Sequence, residues 1–294
     1  MKIMIRIFLV IVAMWTAAMG TAQTTFFDYP IAPDTCTTLE SRCNYSVQHF
    51  WDNCDLTKPF AAGTDSLLVE AMDTYFNIMA AGANANLAIG SARDLMFKSQ
   101  AVQSNFMKLA QVAELLLYMS PTGLRDDLYL TFAQAVIDNK SVKKEVREHY
   151  RDQVKRINAT KLGERISDFT FTGIDGAKHK LSEFETENDT TQVFLVITDG
   201  GSNSNIERMR LDTDVIVGKL VEAGFIKIVN IVTGDAAKQW DNDSREYAAK
   251  WMVGANKDLA TLLDVRYMPC IIVLDNKLTV MRKNITVDDI KNAF

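Results

Sequence analysis

The apolar pattern of this chain changes period once, and that change limits the fold more than any other feature. From Thr37 to about Asn158, apolar residues recur at three- and four-residue spacing; after Leu162-Gly163-Glu164 they alternate or run together. The first pattern predicts amphipathic helices and the second predicts strands. At 294 residues the chain is long enough for two domains. The reading is therefore an all-α helical domain followed by an α/β domain.

In the helical half, Thr37-Thr38-Leu39-Glu40 has the spacing of a capping box. A helix is expected to run from there with Leu39, Cys43, Val47, Phe50, Trp51 and Cys54 on one face. On a continuous helix Cys43 and Cys54 would stand about 16 Å apart at roughly 1.5 Å per residue, beyond the ~7 Å Cα limit for a disulfide. Thr64-Asp65 opens a second helix that buries Leu68, Met72, Tyr75, Phe76 and Met79. Further helices are predicted at 84–98, 102–119, 124–139 and 141–157, with Pro121 and Gly123 breaking the chain between two of them. The three histidines are scattered. His49 lies beside Phe50 and Trp51, and His149 follows Glu145 by one helical turn, which suggests a solvated pair and no metal site. Nothing in the pattern calls for a cofactor.

In the second half, Ile166 to Phe171, a turn at Gly173 to Gly176, and Lys178 to Leu181 form a hairpin signature. Val193 to Thr198 is a continuous apolar run suited to a strand buried on both faces. One helix at 204–223 and a strand from Phe225 to Val232 follow, so the two strands should be parallel and joined by a right-handed crossover. Cys270 to Leu274 and Lys277 to Arg282 read as two strands around an Asp275-Asn276 turn, and Thr286 as the cap of a short terminal helix.

Leu162-Gly163-Glu164, then Asp168-Phe169-Thr170-Phe171 and Asp175-Gly176, resemble the opening of exported bacterial thioredoxin-like and thiol-specific-antioxidant domains. Tyr267-Met268-Pro269-Cys270-Ile271-Ile272-Val273-Leu274-Asp275 is similar to the strand that begins with their cis-proline. Trp251, Lys257-Asp258 and Asp264-Val265 fit the segment before it. Tyr29-Pro30, Phe50-Trp51-Asp52-Asn53 and Phe106 to Tyr118 resemble an uncharacterised helical domain that precedes such domains. The resemblance implies a central mixed sheet flanked by helices, an α/β thioredoxin-like C-terminal domain after an all-α helical domain. It also implies an active site after the first central strand.

That site departs from the family pattern of Cys-x-x-Cys. Within Asp199-Gly200-Gly201-Ser202-Asn203-Ser204-Asn205, Ser202 takes the nucleophile position and Asn205 the resolving position. A helix N-terminus brings a thiol into its working range; a serine hydroxyl starts too high for the same field to ionise it. A peroxiredoxin-type cysteine would fall where Gly201 stands. Ser202 as a hydrolytic nucleophile lacks an assignable histidine base. Gly200 to Ser204 reads as an ordinary helix cap, made by Ser or Asn, in preference to an anion site. The backbone edge at Tyr267, Met268 and Pro269 does not need the cysteines and remains a candidate for peptide binding by strand addition.

The N-terminus predicts export. Lys2 and Arg6 precede an apolar run from Ile7 to Ala18, and Gly20 and Ala22 suit cleavage before Gln23. The expected organisation is a signal peptide at 1–22, a helical domain at 23–158 and a thioredoxin-like domain at 159–294, with the mature protein soluble in the periplasm or cell envelope. The formal net charge of −5 argues against nucleic acid as a partner. Of the four cysteines, Cys36, Cys43, Cys54 and Cys270, none forms a dithiol pair at the site, and buried free thiols are expected. The function expected is therefore non-catalytic: a redox-degenerate thioredoxin-like protein that binds a protein or peptide partner. The alternatives are an unconventional thiol oxidoreductase working through Cys270 and a purely structural subunit.

Overall fold

A computed structural model describes residues 25–120, 125–238 and 250–291. The signal-peptide reading, with its cut before Gln23, and the breakers Pro121 and Gly123 lie outside these residues. The chain divides into two compact units, Met1–Arg151 and Asp152–Phe294. Among the described residues, no helix is long and apolar enough to cross a membrane.

The first unit is helical: α1 Leu39–His49, α2 Asp65–Gly82, α3 Ala85–Ser99, α4 Gln103–Ala113, a π-helical turn Glu114–Tyr118, and α5 Asp126–Asp138. A sixth helix, α6 Lys144–Ala159, spans the division between the units. The capping box falls one residue later than the sequence suggests. Thr38 is the N-cap, and its hydroxyl accepts from the Ser41 amide at 3.1 Å while Ser41 Oγ accepts from the Thr38 amide. The continuous helix through Cys54 is also corrected: α1 ends at His49, and Cys54 closes a turn with its amide on the Trp51 carbonyl. Phe50 and Trp51 are buried all the same, because the turn feeds both rings into a cluster with Phe27, Tyr29 and Tyr75 at centroid distances of 4.9–5.6 Å. Ring pairs of this kind add to the gain from burial alone.

The stripe expected of the second helix, Leu68, Met72, Tyr75, Phe76 and Met79, is buried in α2. The one deep hydroxyl on it is satisfied in relay. Tyr75 donates to Ser91 Oγ at 2.6 Å, and Ser91 donates to the Val47 carbonyl at 2.7 Å, which ties α1, α2 and α3 together. Asn105 is a buried polar residue that periodicity does not explain. Its Nδ2 donates to the Lys58 carbonyl at 2.7 Å and its Oδ1 accepts from the Phe60 amide at 2.8 Å, so it clamps the loop before α2. His149 meets Glu114 at 2.7 Å, at the start of the π-helical turn. All four cysteines are free; Cys43 and Cys270 are buried, and burial with Asp55 nearby pushes the Cys54 thiol up to about 11.

The second unit is built on a seven-stranded sheet: β1 Thr170–Gly173, β2 Lys178–Lys180, β3 Gln192–Thr198, β4 Ile226–Val232, β5 Met252–Ala255, β6 Cys270–Leu274 and β7 Val280–Lys283. The spatial order is β2-β1-β5-β4-β3-β6-β7. β3 pairs in parallel with β4, and β4 with β5; every other pairing is antiparallel. The run at β3 is apolar throughout because both of its faces are covered. Val193, Leu195 and Ile197 enter one core with Phe171, Leu181 and Leu259. Phe194 and Val196 enter the other with Leu211, Val217 and Ile290.

The helices of this unit are α7 Ser202–Thr213, α8 Val215–Glu222, α9 Gly234–Lys238, α10 Leu259–Leu262 and α11 Val287–Lys291. The single helix expected at 204–223 is thus two, because Asp214 leaves the helical conformation and caps α8, accepting from the amides of Ile216 and Val217 at 2.9 and 3.0 Å. The hairpin is present but its first strand starts only at Thr170. Asp168 is spent on the amide and hydroxyl of Ser182, at 2.9 and 2.8 Å. Thr286 and Asp289 cap the terminal helix mutually, as expected of Thr286.

Candidate functional site

The register of the central strands places the two halves of the candidate site at one end of the sheet. Ile197 stands opposite Cys270 in the β3–β6 pair. Thr198 therefore ends β3 where Pro269 leads into β6, and four residues beyond Thr198 the chain enters α7 at Ser202. The Met268–Pro269 peptide is cis. Tyr267, Met268 and Pro269 are half-buried, whereas Ser202 and Asn205 are exposed.

The loop between β3 and α7 is organised by Asp199. Its Oδ1 accepts from Ser204 Oγ at 2.6 Å and from the Gly201 amide at 2.9 Å. The Ser204 bond, with the Gly201 amide, holds the Asp199 carboxyl below its ordinary range. The cap expected from a serine or asparagine is absent: the N-cap residue is Gly201, no side chain accepts from the first-turn amides of α7, and Asp199 holds the loop through Gly201 and the Ser204 hydroxyl. Gly200 is required as glycine: its φ is +77°, and a Cβ there would stand 2.8 Å from Ala236 Cβ. Asn205 returns Nδ2 to the Gly200 carbonyl at 3.2 Å. Ser202 and Asn205 share one face of α7 with Ile206 and Met209, which are 54% and 56% exposed.

Chemically, this arrangement presents two polar, sulfur-free side chains, Ser202 and Asn205, exposed at the start of α7. The one cysteine nearby, Cys270, has no exposed surface, and its thiol approaches Asn284 Oδ1 at 3.5 Å. Burial is the main force that pushes this thiol up to about 12, with Asp264 adding to it against Lys283 and Arg266. A thiol in that state supplies almost no thiolate at neutral pH. Among the described residues, no group of three or more His, Cys, Asp or Glu side chains is placed to hold a metal ion.

Sequence reasoning missed the group that anchors the Tyr267–Pro269 segment. Asp264 is buried, with its side chain 1% exposed. It takes two hydrogen bonds of 2.6 Å from Arg266 Nε and Nη2 and a third of 3.2 Å from Lys283 Nζ on β7. Burial alone would push its carboxyl up. The Arg266 and Lys283 charges outweigh that and hold it below the usual range. The available signal was charge at alternate positions, Asp264 and Arg266, within an otherwise apolar run.

Residues 15–159 match a family model described as a domain of unknown function, DUF5106. The crystal structure of a thioredoxin-like protein from Bacteroides caccae ATCC 43185 matches this chain with a TM-score of 0.78 at 19% identity, covering 93% of this chain and 98% of that one. Two shorter structures cover the C-terminal part. The C-terminal domain of an uncharacterized protein from Bacteroides fragilis NCTC 9343 is 24% identical, with a TM-score of 0.41, and covers 46% of this chain and 97% of its own. The thioredoxin domain of a thiol-disulfide oxidoreductase from Bacteroides vulgatus is 17% identical, with a TM-score of 0.37, and covers 45% and 94%. No curated protein matches the chain. The long match and the sheet topology together fix the fold as a thioredoxin-like domain after a helical domain.

Proposed function

We propose that this thioredoxin-like protein is an exported, non-catalytic binding protein that takes a protein or peptide partner at the Tyr267–Met268–Pro269 edge. The observation that carries this reading is the pairing of a half-buried backbone edge with a helix start from which both sulfur positions are gone, Ser202 and Asn205 standing exposed there. Strand addition uses main-chain groups and pockets for alternate side chains, so it does not depend on a dithiol. Ile206 and Met209 extend the same helix face with apolar surface that a partner would cover. The rival reading, thiol chemistry at Cys270, needs a thiolate that its burial opposes.

The test is a photo-reactive residue placed at Met268, with a control at Asp189, which precedes β3 at the other end of that strand. Irradiation of the mature protein in its own envelope fraction should give a protein cross-link at Met268 and none at Asp189. The cross-link should disappear in a folded Tyr267→Glu variant. Equal labelling at both positions, or none at Met268, would remove the binding edge.

The same reading assigns residues 1–22 to a cleaved signal, 23–158 to the helical domain and 159–294 to the thioredoxin-like domain, with the mature chain soluble in the periplasm or cell envelope. N-terminal sequencing of protein from the native host is expected to begin at Gln23. An intact Met1 would contradict export by this route.

A further inference from the structure

We propose that His179 is a pH-sensitive bolt on the β1–β2 hairpin: as the imidazolium it bridges Asp175 and Glu183, and loss of its proton frees the outermost strand of the sheet. His179 Nδ1 lies 3.0 Å from Glu183 Oε2, and Nε2 lies 3.2 and 3.3 Å from the two Asp175 oxygens. A neutral imidazole carries one N–H, so it can donate to one of these carboxylates only and turns a lone pair towards the other. Only the doubly protonated ring satisfies both contacts.

The two carboxylates are themselves structural. Asp175 Oδ1 accepts from the Ala177 amide at 2.9 Å and so holds the hairpin turn. Glu183 Oε1 accepts from the Lys180 amide at 2.9 Å and so holds the start of the 3₁₀ turn Leu181–Phe184. His179 therefore joins the turn before β2 to the turn after it. On β1, the ring lies over Phe171 with centroids 5.7 Å apart and presses on Gly173, where a Cβ would stand 2.8 Å from His179 Cδ2. The charged groups facing it are Asp175 from the hairpin turn and Glu183 from the 3₁₀ turn, with Lys180 beside Glu183; β1 offers only Phe171 and Gly173. β2 is the terminal strand of the sheet, so among the described residues no further strand holds its outer side.

The hydrogen bond to Glu183 is the largest influence and raises the His179 pKa; burial opposes it, and the hydrogen bond and charge of Asp175 then help to leave the value above its ordinary one. A raised folded pKa means that the bolt contributes fully below the unfolded histidine value of about 6.5 and is lost as pH rises through the folded value. The experiment is an NMR titration of the His179 ring in the folded mature protein, with amide exchange at Gly173 and Leu181, whose bonds to Ala177 and Phe169 close the hairpin. The His179 midpoint should lie above 6.5 and fall in Glu183→Gln. Hairpin amides should exchange several-fold faster in His179→Gln than in the native protein at low pH, with the two converging above the midpoint. If His179→Gln does not fold, the native titration and Glu183→Gln decide alone. A midpoint at or below the ordinary value, one unmoved by Glu183→Gln, or an exchange ratio independent of pH would each overturn the bolt.

Discussion

Placing cysteines at both positions, Ser202→Cys with Asn205→Cys, is expected to give a measurable disulfide reductase, and the native chain is expected to give none. Disulfide exchange needs a thiolate to attack and a second thiol to release the mixed disulfide, and the native chain offers neither at this helix start. Ser202 is the first residue of α7 and Asn205 lies one turn on, on the same exposed face. The N-terminus of a helix stabilises a negative charge and draws a thiol down from about 8.5. A fall to about 7 would raise the thiolate fraction at neutral pH roughly fifteenfold. Asp199 works against this, because its carboxyl is held low and therefore charged, but it is already engaged with Ser204 and Gly201. In dithiothreitol-driven reduction of a protein disulfide, the double variant should accelerate turnover at least about tenfold over background. The native chain should give none, and Ser202→Cys alone should stall as a mixed disulfide. Cys270→Ser should leave each result unchanged. Robust turnover by the native protein that Cys270→Ser abolishes would hand the molecule to the thiol-enzyme reading.

The parts of this outcome that were legible in the sequence are those set by burial on a regular period. Within β3 the run Val193 to Ile197 is apolar because both faces meet a core, and the α2 stripe is apolar because one face does. The departures lie where a polar side chain or a distant strand decides. Asp214 ends α7 by capping α8, a role that amphipathic spacing cannot register. β5 is only Met252–Ala255, too short to alternate visibly, and exists because β4 and β1 pair with its two edges. At the candidate site, that Ser202 and Asn205 carry no sulfur is plain from residue identity alone. The loop's actual organiser, Asp199, and the anchor at Asp264 were not: Asp199 acts through local side-chain contacts with Gly201 and Ser204 that apolar spacing does not register, and Asp264 draws on Lys283 from a distant strand.

Removing that anchor is expected to have the largest effect of any single substitution on the stability of the C-terminal unit. Asp264→Ala strips Arg266 and Lys283 of a carboxylate they share in a nearly dry site, the side chains of the two cations being 10% exposed. Breaking a buried ion pair from one side costs about 3–5 kcal/mol, because the opposite charges stay desolvated. For a unit of this size that corresponds to a fall in Tm on the order of 10 °C, read by calorimetry on the mature protein. Asp264→Asn keeps the shape and one of the two acceptor oxygens and should lose less. The pH dependence has a definite sign. The folded Asp264 carboxyl is held below its unfolded value of about 3.9, so its contribution is present above that value and is lost as pH falls through the folded one. The stability gap between native protein and Asp264→Asn should therefore be level through neutral pH and close only in strong acid. A gap that instead opened above neutral pH, or an Asp264→Ala variant as stable as the native chain, would show that the group does not hold this part of the sheet. The binding edge supplies the second readout. Asp264 and Arg266 immediately precede Tyr267, so Asp264→Asn, still folded, should weaken cross-linking from Met268 while leaving the Ser202→Cys, Asn205→Cys dithiol reactive. Loss of both together would mean that the end of the sheet had collapsed, and retention of both would restrict Asp264 to a purely stabilising role.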